Sequence, residues 1–253
     1  MLLPIGDENR RASRPAWVTY LLIAANFAVF FFLQQGGLNE AFTYGWSVVP
    51  LEITTGTDLT APRPITVGGQ TVEIPHHPGP TPIYLTLITA MFMHGGYLHL
   101  FGNMLYLWIF GDNVEHRFGA RAFLAFYLLS GLAATAAQIA LDPTGIIPNL
   151  GASGAISGVL GAYLVLFPKN RVYALLFYFV VSVPAVVAIG MWIVFQFING
   201  LGSIAVSQES VGGVAYGAHI GGFFAGIILA TIMRFVIKEE KPNIYSPYET
   251  RQR

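Results

Sequence analysis

Long apolar runs dominate this chain of 253 residues, and polar or glycine- and proline-rich segments separate them. About 20 apolar residues in a row form one helix that spans a bilayer. Six runs reach or approach that length. They cover approximately residues 16–33, 83–110, 121–141, 150–167, 172–199 and 213–237. The pattern predicts an all-α membrane protein, built as a bundle of six transmembrane helices.

The polar segments divide the rest of the chain. We expect a cytoplasmic N-terminal segment at 1–15, a six-helix membrane domain at 16–237 and a cytoplasmic tail at 238–253. The one long connection, residues 34–82, is rich in Pro, Gly and Thr and is expected outside the membrane. A Gly-Gly pair at 68–69 favours a small hairpin in this otherwise exposed loop.

The basic residues support this topology. If the N-terminus is cytoplasmic, twelve of the thirteen Lys and Arg residues fall on the cytoplasmic side, and Arg63 is the exception. Membrane proteins carry an excess of Lys and Arg in their cytoplasmic loops. Both termini are therefore predicted to be cytoplasmic, and the bilayer is predicted to be the cell (inner) membrane of a prokaryote.

Composition excludes several classes of function. Apolar residues make up 54% of the chain, charged residues make up 10%, and the net charge is zero, so nothing indicates a nucleic-acid partner. The lack of cysteine excludes disulfides, thiolate metal sites and a cysteine nucleophile. No carboxylate lies inside an apolar run, which argues against an aspartyl intramembrane protease and a proton-coupled transporter. The zinc-protease motif His-Glu-x-x-His is also absent, which argues against a zinc protease of that class.

Four polar residues inside the apolar runs are the candidates for chemistry: His99, Asn103, Ser153 and His219. At 1.5 Å per helical residue, His99, Ser153 and His219 all lie roughly 20–24 Å from the charges at the inner ends of their runs. A serine and a histidine form a minimal nucleophile–base pair, and ionisable groups in lipid are costly and usually functional. Asn103 lies one helical turn after His99, so both side chains could donate hydrogen bonds to an oxyanion.

The surroundings of these residues suit the same chemistry. Glycines lie beside both Ser153 and His219 and would let their helices approach closely. A helix that begins near Ser153 would place unpaired N–H groups beside the serine. Each polar residue could instead serve packing or hydrogen bonding between helices. His94 is expected on a different helical face from His99, where it orders the adjoining loop rather than joins the chemistry.

Three motifs together resemble the rhomboid intramembrane serine proteases: His94–Asn103, Gly151–Gly154, and Ala218–Gly222 with Gly226. The similarity in order and spacing extends from about Thr81 to Met233. This resemblance implies that Ser153 is the nucleophile and His219 the general base. It also implies that His99, Asn103 and the Ser153 N–H form the oxyanion hole. The substrates would be transmembrane segments of other membrane proteins, cleaved within the bilayer without a metal or cofactor.

The chain departs from the family pattern in two places. Residues 34–82 lack the Trp-Arg pair that some members carry in the first external loop, and Ser157 stands where some members have a tyrosine near the histidine.

Two alternative functions remain. A catalytically inactive rhomboid-like protein that binds membrane clients is disfavoured because Ser153 and His219 are both present. A transporter or channel is disfavoured because intramembrane carboxylates are lacking. The sequence does not indicate the oligomeric state.

Overall fold

Nine α-helices account for most of the structure, a computed structural model that describes residues 3–8, 15–67, 69–205 and 215–237. In chain order the helices are α1 (Trp17–Ala28), α2 (Glu40–Gly45), α3 (Pro50–Thr55), α4 (Thr86–Thr89), α5 (Tyr97–Phe118), α6 (Ala120–Leu141), α7 (Ser153–Leu166), α8 (Ala185–Ala205) and α9 (Tyr216–Val236). A wider π-helical turn, Val29–Leu33, continues α1, and short 3₁₀ turns flank α4. The predicted tail, 238–253, and most of the predicted N-terminal segment lie outside the described residues.

The protein is mostly helical, as expected, but the described residues also contain five β-strands, so it is not built of helices alone. They are β1 (Leu3–Asp7), β2 (Arg63–Val67), β3 (Gln70–Ile74), β4 (Arg171–Leu176) and β5 (Phe179–Pro184). β2 and β3 form the predicted hairpin, with Arg63 opposite Ile74 and Val67 opposite Gln70. β1, β4 and β5 form an antiparallel sheet in the order β1-β4-β5. The N-terminal strand β1 is thus joined to the rest of the chain through β4.

The fifth predicted span, 172–199, is therefore not one helix. Its first part forms the β4–β5 hairpin, and α8 begins only at Ala185. The residues from Val172 to Val183 are rich in β-branched and aromatic side chains, which favour strands over helices. Phe177 makes the turn between the strands with a positive φ of 54°. A continuous apolar run does not by itself distinguish a buried helix from a strand pair.

The second predicted span, 83–110, is also interrupted. Short helical turns from Ile83 to Phe92 end at an extended Met93, and α5 begins after Gly96. Within the described residues, two helices are long and apolar enough to cross a bilayer on their own, α6 and α9. The apolar helices at 17–33, 83–92, 153–166 and 185–201 are shorter. The count of six spans thus remains a prediction.

Helix α7 forms the centre of the bundle. Its residues from Gly154 to Tyr163 are all buried, and it packs against α5, α6 and α9. The contact with α9 is backbone against backbone. A Cβ atom at Gly222 would collide with the Gly154 carbonyl, and one at Gly226 would collide with the Gly158 carbonyl. The close approach expected from the glycines is confirmed, and it brings the N-terminal half of α9 beside the start of α7.

Residues 34–82 fold onto the end of the bundle where α7 begins. The backbones of Val48 and Asn149 exchange hydrogen bonds of 2.9 and 2.7 Å. His76 is buried, and its Nε2 lies 2.7 Å from the Ile146 carbonyl oxygen. This segment is therefore more than an exposed loop, because it packs around the connection that leads into Ser153.

Candidate active site

Ser153 is the first residue of α7 and is half-buried at the end of the bundle covered by residues 34–82. Gly151 precedes it with a φ of +133°, a conformation that suits glycine. The Gly151 N–H donates to the Ala90 carbonyl oxygen at 2.8 Å, which fixes the entry of the chain into the helix. As the first helical residue, Ser153 presents its N–H among the groups that have no partner inside the helix.

A small cavity of about 40 Å³ adjoins Ser153, between the start of α7 and helix α6. Its lining includes the polar side chains of Thr135, Gln138 and Asn149 together with Ser153. A buried water needs roughly 10–15 Å³ of such space and two to four polar partners. The cavity is therefore large and polar enough to admit water next to the serine.

His219 reaches the same region from α9. Its chain neighbour Ala218 lies against α7, since a Cβ atom at Gly154 would be 3.8 Å from the Ala218 carbonyl oxygen. Within the described part of the chain, Ser153 Oγ has no hydrogen bond to His219 or to any other residue. Apo active sites often hold catalytic groups at longer distances, which shorten when the substrate binds.

The orientation of His219 is set from α8, which the sequence did not indicate. His219 Nδ1 lies 2.8 Å from Gln196 Oε1. The indole of Trp192 lies 6.0 Å from the imidazole, centroid to centroid, and Tyr216 meets it edge-on at 6.4 Å. Ser157 is turned away, because its hydroxyl donates to the Ser153 carbonyl oxygen at 2.6 Å. The only signal for Gln196 in the sequence was an amide inside an apolar run.

His99 lies next to Ser153 across Gly151. A Cβ atom built on Gly151 would be 2.9 Å from His99 Nε2 and 3.5 Å from Ser153 Oγ. The Gly95 N–H donates to His99 Nδ1 at 3.4 Å. In a neutral imidazole one ring nitrogen accepts and the other carries the hydrogen. A neutral ring that accepts at Nδ1 carries its hydrogen on Nε2, the nitrogen that lies on the Ser153 side.

Asn103 follows one turn later on α5, and its Nδ2 lies 2.9 Å from His94 Nε2. His94 is fully buried, and its ring meets that of His99 edge-on at 5.0 Å. Gln34 brackets the His94 backbone, accepting from its N–H and donating to its carbonyl, both at 2.9 Å. His94 orders the adjoining segment through Gln34, as expected, and its ring also contacts Asn103 and His99.

An apolar cavity of about 240 Å³ opens between α5 and α8. Tyr106 and Phe110 line it from α5, and Trp192 and Phe195 line it from α8. Trp192 also contacts the His219 ring, so one end of this cavity lies near that imidazole. Pro4 of β1 and Ala174 of β4 line the cavity towards the other end of the bundle. Among the described residues, no group of three or more His, Asp or Glu side chains could hold a metal ion.

Comparison with known proteins decides the family. A model of the Rhomboid domain matches residues 82–235, which is more than half of the chain. The protein belongs to the rhomboid family. The match includes α5, α7 and α9, the helices that carry the four candidate residues.

Several curated rhomboid proteins are similar to this rhomboid protein. Rhomboid protein 1, mitochondrial, of Saccharomyces cerevisiae is 32% identical over 165 residues, 62% of this chain and 44% of the relative. RHOMBOID-like protein 5 of Arabidopsis thaliana is 32% identical over 154 residues, 58% of this chain and 43% of the relative. Rhomboid protease GluP of Bacillus subtilis is 38% identical over 144 residues, 56% of this chain and 25% of the relative. The chain thus spans less than half the length of each. Because mitochondrial proteins are among them, they do not support the expected prokaryotic cell membrane.

Proposed function

We propose that this rhomboid protein is an intramembrane serine endopeptidase that cleaves transmembrane segments of other membrane proteins. The observation that carries the proposal is the grouping of three elements around the start of α7. Ser153 begins that helix, His99 lies beside it across Gly151, and α9 brings His219 against it through the glycine contact. The naming of one relative as a rhomboid protease adds support at the level of the family.

The reaction proposed for this geometry is acyl transfer. His219 Nε2 takes the proton of Ser153 Oγ as that oxygen attacks the carbonyl carbon of the scissile peptide bond. The oxyanion that forms accepts hydrogen bonds from the Ser153 N–H, His99 Nε2–H and Asn103 Nδ2–H. His219 then protonates the leaving amine, and a water from the polar cavity hydrolyses the acyl-enzyme. None of these steps needs a metal or a cofactor.

Two cavities suit the two proposed reactants. The cavity beside Ser153 is suited to water, and the apolar cavity between α5 and α8 is suited to an apolar peptide segment. The proposed partners are therefore the lipid bilayer and transmembrane proteins. No nucleic-acid partner is proposed.

The proposal places both termini on the cytoplasmic side. Arg117, near the end of α5, donates to the carbonyl oxygens of Ile237 at 3.2 Å and Arg234 at 3.4 Å. Asn113 of α5 donates to Asp7 at 2.7 Å. The strand near the N-terminus and the end of α9 therefore lie at one end of the bundle, away from Ser153, as this topology requires.

Cleavage of a membrane-embedded reporter in proteoliposomes tests the function. We expect Ser153→Ala and His219→Ala each to reduce cleavage to background while the protein still inserts and folds, because each removes half of a two-part unit. Thr231→Ala is the matched control on α9, since that hydroxyl donates only to its own helix at Ile227. Substantial cleavage by Ser153→Ala would contradict the assignment, and a folded wild type without activity would favour the inactive, client-binding alternative.

A further inference from the structure

Gln196 brings a buried polar group from α8 to the candidate base. Its side chain is only 6% exposed, and its Oε1 lies 2.8 Å from His219 Nδ1. Burying an amide costs free energy unless it is hydrogen-bonded. The hydrogen-bond partner of Gln196 is the imidazole of His219, the residue proposed to activate Ser153.

We propose that Gln196 is a positioning residue that holds His219 with Nδ1 protonated and Nε2 free to act as the base, and that it links this state to the position of α8. The inference rests on the proposed function. An amide oxygen only accepts hydrogen bonds, so the neighbouring Nδ1 must carry the hydrogen. Nε2 then keeps the lone pair that general-base catalysis needs.

Gln196 takes over one of the two tasks that an aspartate performs in a Ser-His-Asp triad. The carboxylate of such a triad fixes the tautomer and orientation of the imidazole and also stabilises the imidazolium. The amide fixes the tautomer and the orientation but contributes no charge. The acidic third member that the sequence lacks is thus replaced by a neutral hydrogen-bond acceptor.

The same helix forms a wall of the apolar cavity. Trp192 lies one turn before Gln196, and residues four apart share a helical face. Trp192 lines the cavity and contacts the His219 ring. An outward movement of α8 that widens the cavity would therefore also break the 2.8 Å bond between Gln196 and His219.

Kinetics of Gln196→Leu, Gln196→Glu and the control Asn199→Leu test the proposal. Asn199 is on the same helix and donates only to its own turn, at Phe195, so its variant should match the wild type. Gln196→Leu should lower kcat by about 10-fold or more, with KM nearly unchanged, since orientation serves the general-base step. Gln196→Glu should retain activity, and the acid limb of its kcat/KM profile should move to higher pH because a carboxylate stabilises the imidazolium. Unchanged kcat in Gln196→Leu would overturn the proposal.

Nitrogen-15 NMR of the histidine rings provides a readout that does not depend on activity. The His219 signals, assigned from their loss in His219→Ala, should show protonated Nδ1 and bare Nε2 in the wild type and a mixture of tautomers in Gln196→Leu. A wild-type ring with protonated Nε2 would contradict the proposal. If the wild type cleaves nothing but shows the expected tautomer, the proposed function fails and the positioning contact stands.

A second inference concerns the tip of the β4–β5 hairpin. Phe177, Tyr178 and Phe179 are 79%, 94% and 73% exposed. The hairpin connects the C-terminal end of α7 to the N-terminal end of α8, so it lies at the end of the bundle opposite Ser153. No charged residue occurs from Val172 to Gln208. An exposed apolar patch of this kind needs a partner.

We infer that the three aromatic residues of this tip lie in the headgroup region of the bilayer. The tip is continuous with α8, whose apolar residues Val186, Val187 and Met191 are also exposed. Aromatic side chains concentrate at the membrane–water interface. β5 is an edge strand with backbone groups that lack a partner in the sheet, and such edges do not occur within the hydrocarbon region. The headgroup region suits the aromatic side chains and can also hydrogen-bond the unpaired backbone groups of β5.

The absence of cysteine allows a clean test with single-cysteine variants. A Tyr178→Cys variant is labelled with an environment-sensitive fluorophore in phosphatidylcholine–phosphatidylglycerol vesicles. Gln70→Cys, on the polar β2–β3 hairpin, is the matched control. We expect the fluorescence emission of the label at 178 to be blue-shifted relative to that of the label at 70. Lipids with a nitroxide near the headgroup should quench it more than lipids with a deep nitroxide do. Equal quenching of the two labels by aqueous iodide, or stronger quenching by the deep nitroxide, would overturn the inference.

Discussion

At the residue scale, the pairing of Asn103 with His94 explains how a polar side chain is held ready inside an apolar helix bundle. One hydrogen of the Asn103 amide is directed to His94 Nε2 at 2.9 Å, and an amide nitrogen carries a second one. His94 is itself fixed by Gln34. A contact from Gln34 thus orients, through His94, a donor proposed for the oxyanion hole.

We expect Asn103→Ala to lower kcat by very roughly 10²–10³, as the loss of one oxyanion-hole donor does in a soluble enzyme. Steady-state kinetics on a membrane-embedded substrate measures the effect, and Asn199→Ala on α8 serves as the control. A change confined to KM would instead identify Asn103 as a substrate contact or a packing residue.

The sequence was informative about the site because ionisable residues such as histidine are rare inside transmembrane segments. Ser153, His219, His99 and Asn103 were selected as polar groups inside apolar runs, and the structure brings Ser153, His99 and the His219 helix together. Gln196 is also a polar group inside an apolar run, but it was not selected, because a linear pattern does not indicate which face of α8 meets α9. The contact of His94 was missed because Gly95 and Gly96 interrupt the helix, so the rule for helical faces does not hold between His94 and His99.

At the element scale, the contact between α7 and α9 determines the distance between the proposed nucleophile and base. Gly222 lies directly against the Gly154 carbonyl, so even one added methyl group has no room. His219 is one turn before Gly222 on α9, and Ser153 is the chain neighbour of Gly154. Any separation of the two helices at this point is therefore transmitted directly to the Ser153–His219 pair.

We expect Gly222→Ala to reduce activity by about 10²-fold, since a misplacement of about 1 Å can have that effect. The comparison is Gly190→Ala on α8, where a Cβ atom would meet nothing within 4 Å. Cleavage rates together with circular dichroism separate a displaced helix from an unfolded protein. Full activity of Gly222→Ala would show that this contact does not set the catalytic distance.

Apolar runs that form a single helix were predictable from hydropathy. A run that contains both a hairpin and a helix was not. The runs at 121–141 and 213–237 correspond closely to α6 and α9. The run at 172–199 contains a hairpin and a helix that are equally apolar, so hydropathy alone did not separate them. The distinguishing signal was the density of β-branched and aromatic residues before Pro184.

At the scale of the whole molecule, the two ends of the bundle are closed by different structures. Residues 34–82 cover the end with Ser153, and the β1-β4-β5 sheet covers the other. Asp7 of β1 fastens that sheet, because it accepts hydrogen bonds from Tyr163 of α7 and from Asn113 of α5. Burial, the largest effect, raises the pKa of Asp7 to about 7, and nearby Asp112 adds to the rise.

This raised pKa predicts a pH-dependent stability. Between about pH 4 and 7 the folded state binds more protons at Asp7 than the unfolded chain does, so the free energy of unfolding falls as pH rises through that window. We expect Asp7→Asn to flatten the decline in Tm between pH 4 and 7. Burial also raises the pKa of Glu52 to about 7, so part of the decline should remain. The control Glu40→Gln, at an exposed carboxyl, should leave the decline unchanged. An identical decline in Asp7→Asn would contradict the role of Asp7.

The central claim is that Ser153 is a nucleophile activated by His219, and covalent labelling with a fluorophosphonate tests it most directly. Intact-protein and peptide mass spectrometry of the protein in lipid should find one phosphonate adduct on Ser153 in the wild type. Labelling should be abolished in Ser153→Ala and strongly slowed in His219→Ala, while Thr231→Ala labels normally. A folded wild type that does not react, or an adduct on a serine other than Ser153, would contradict the account.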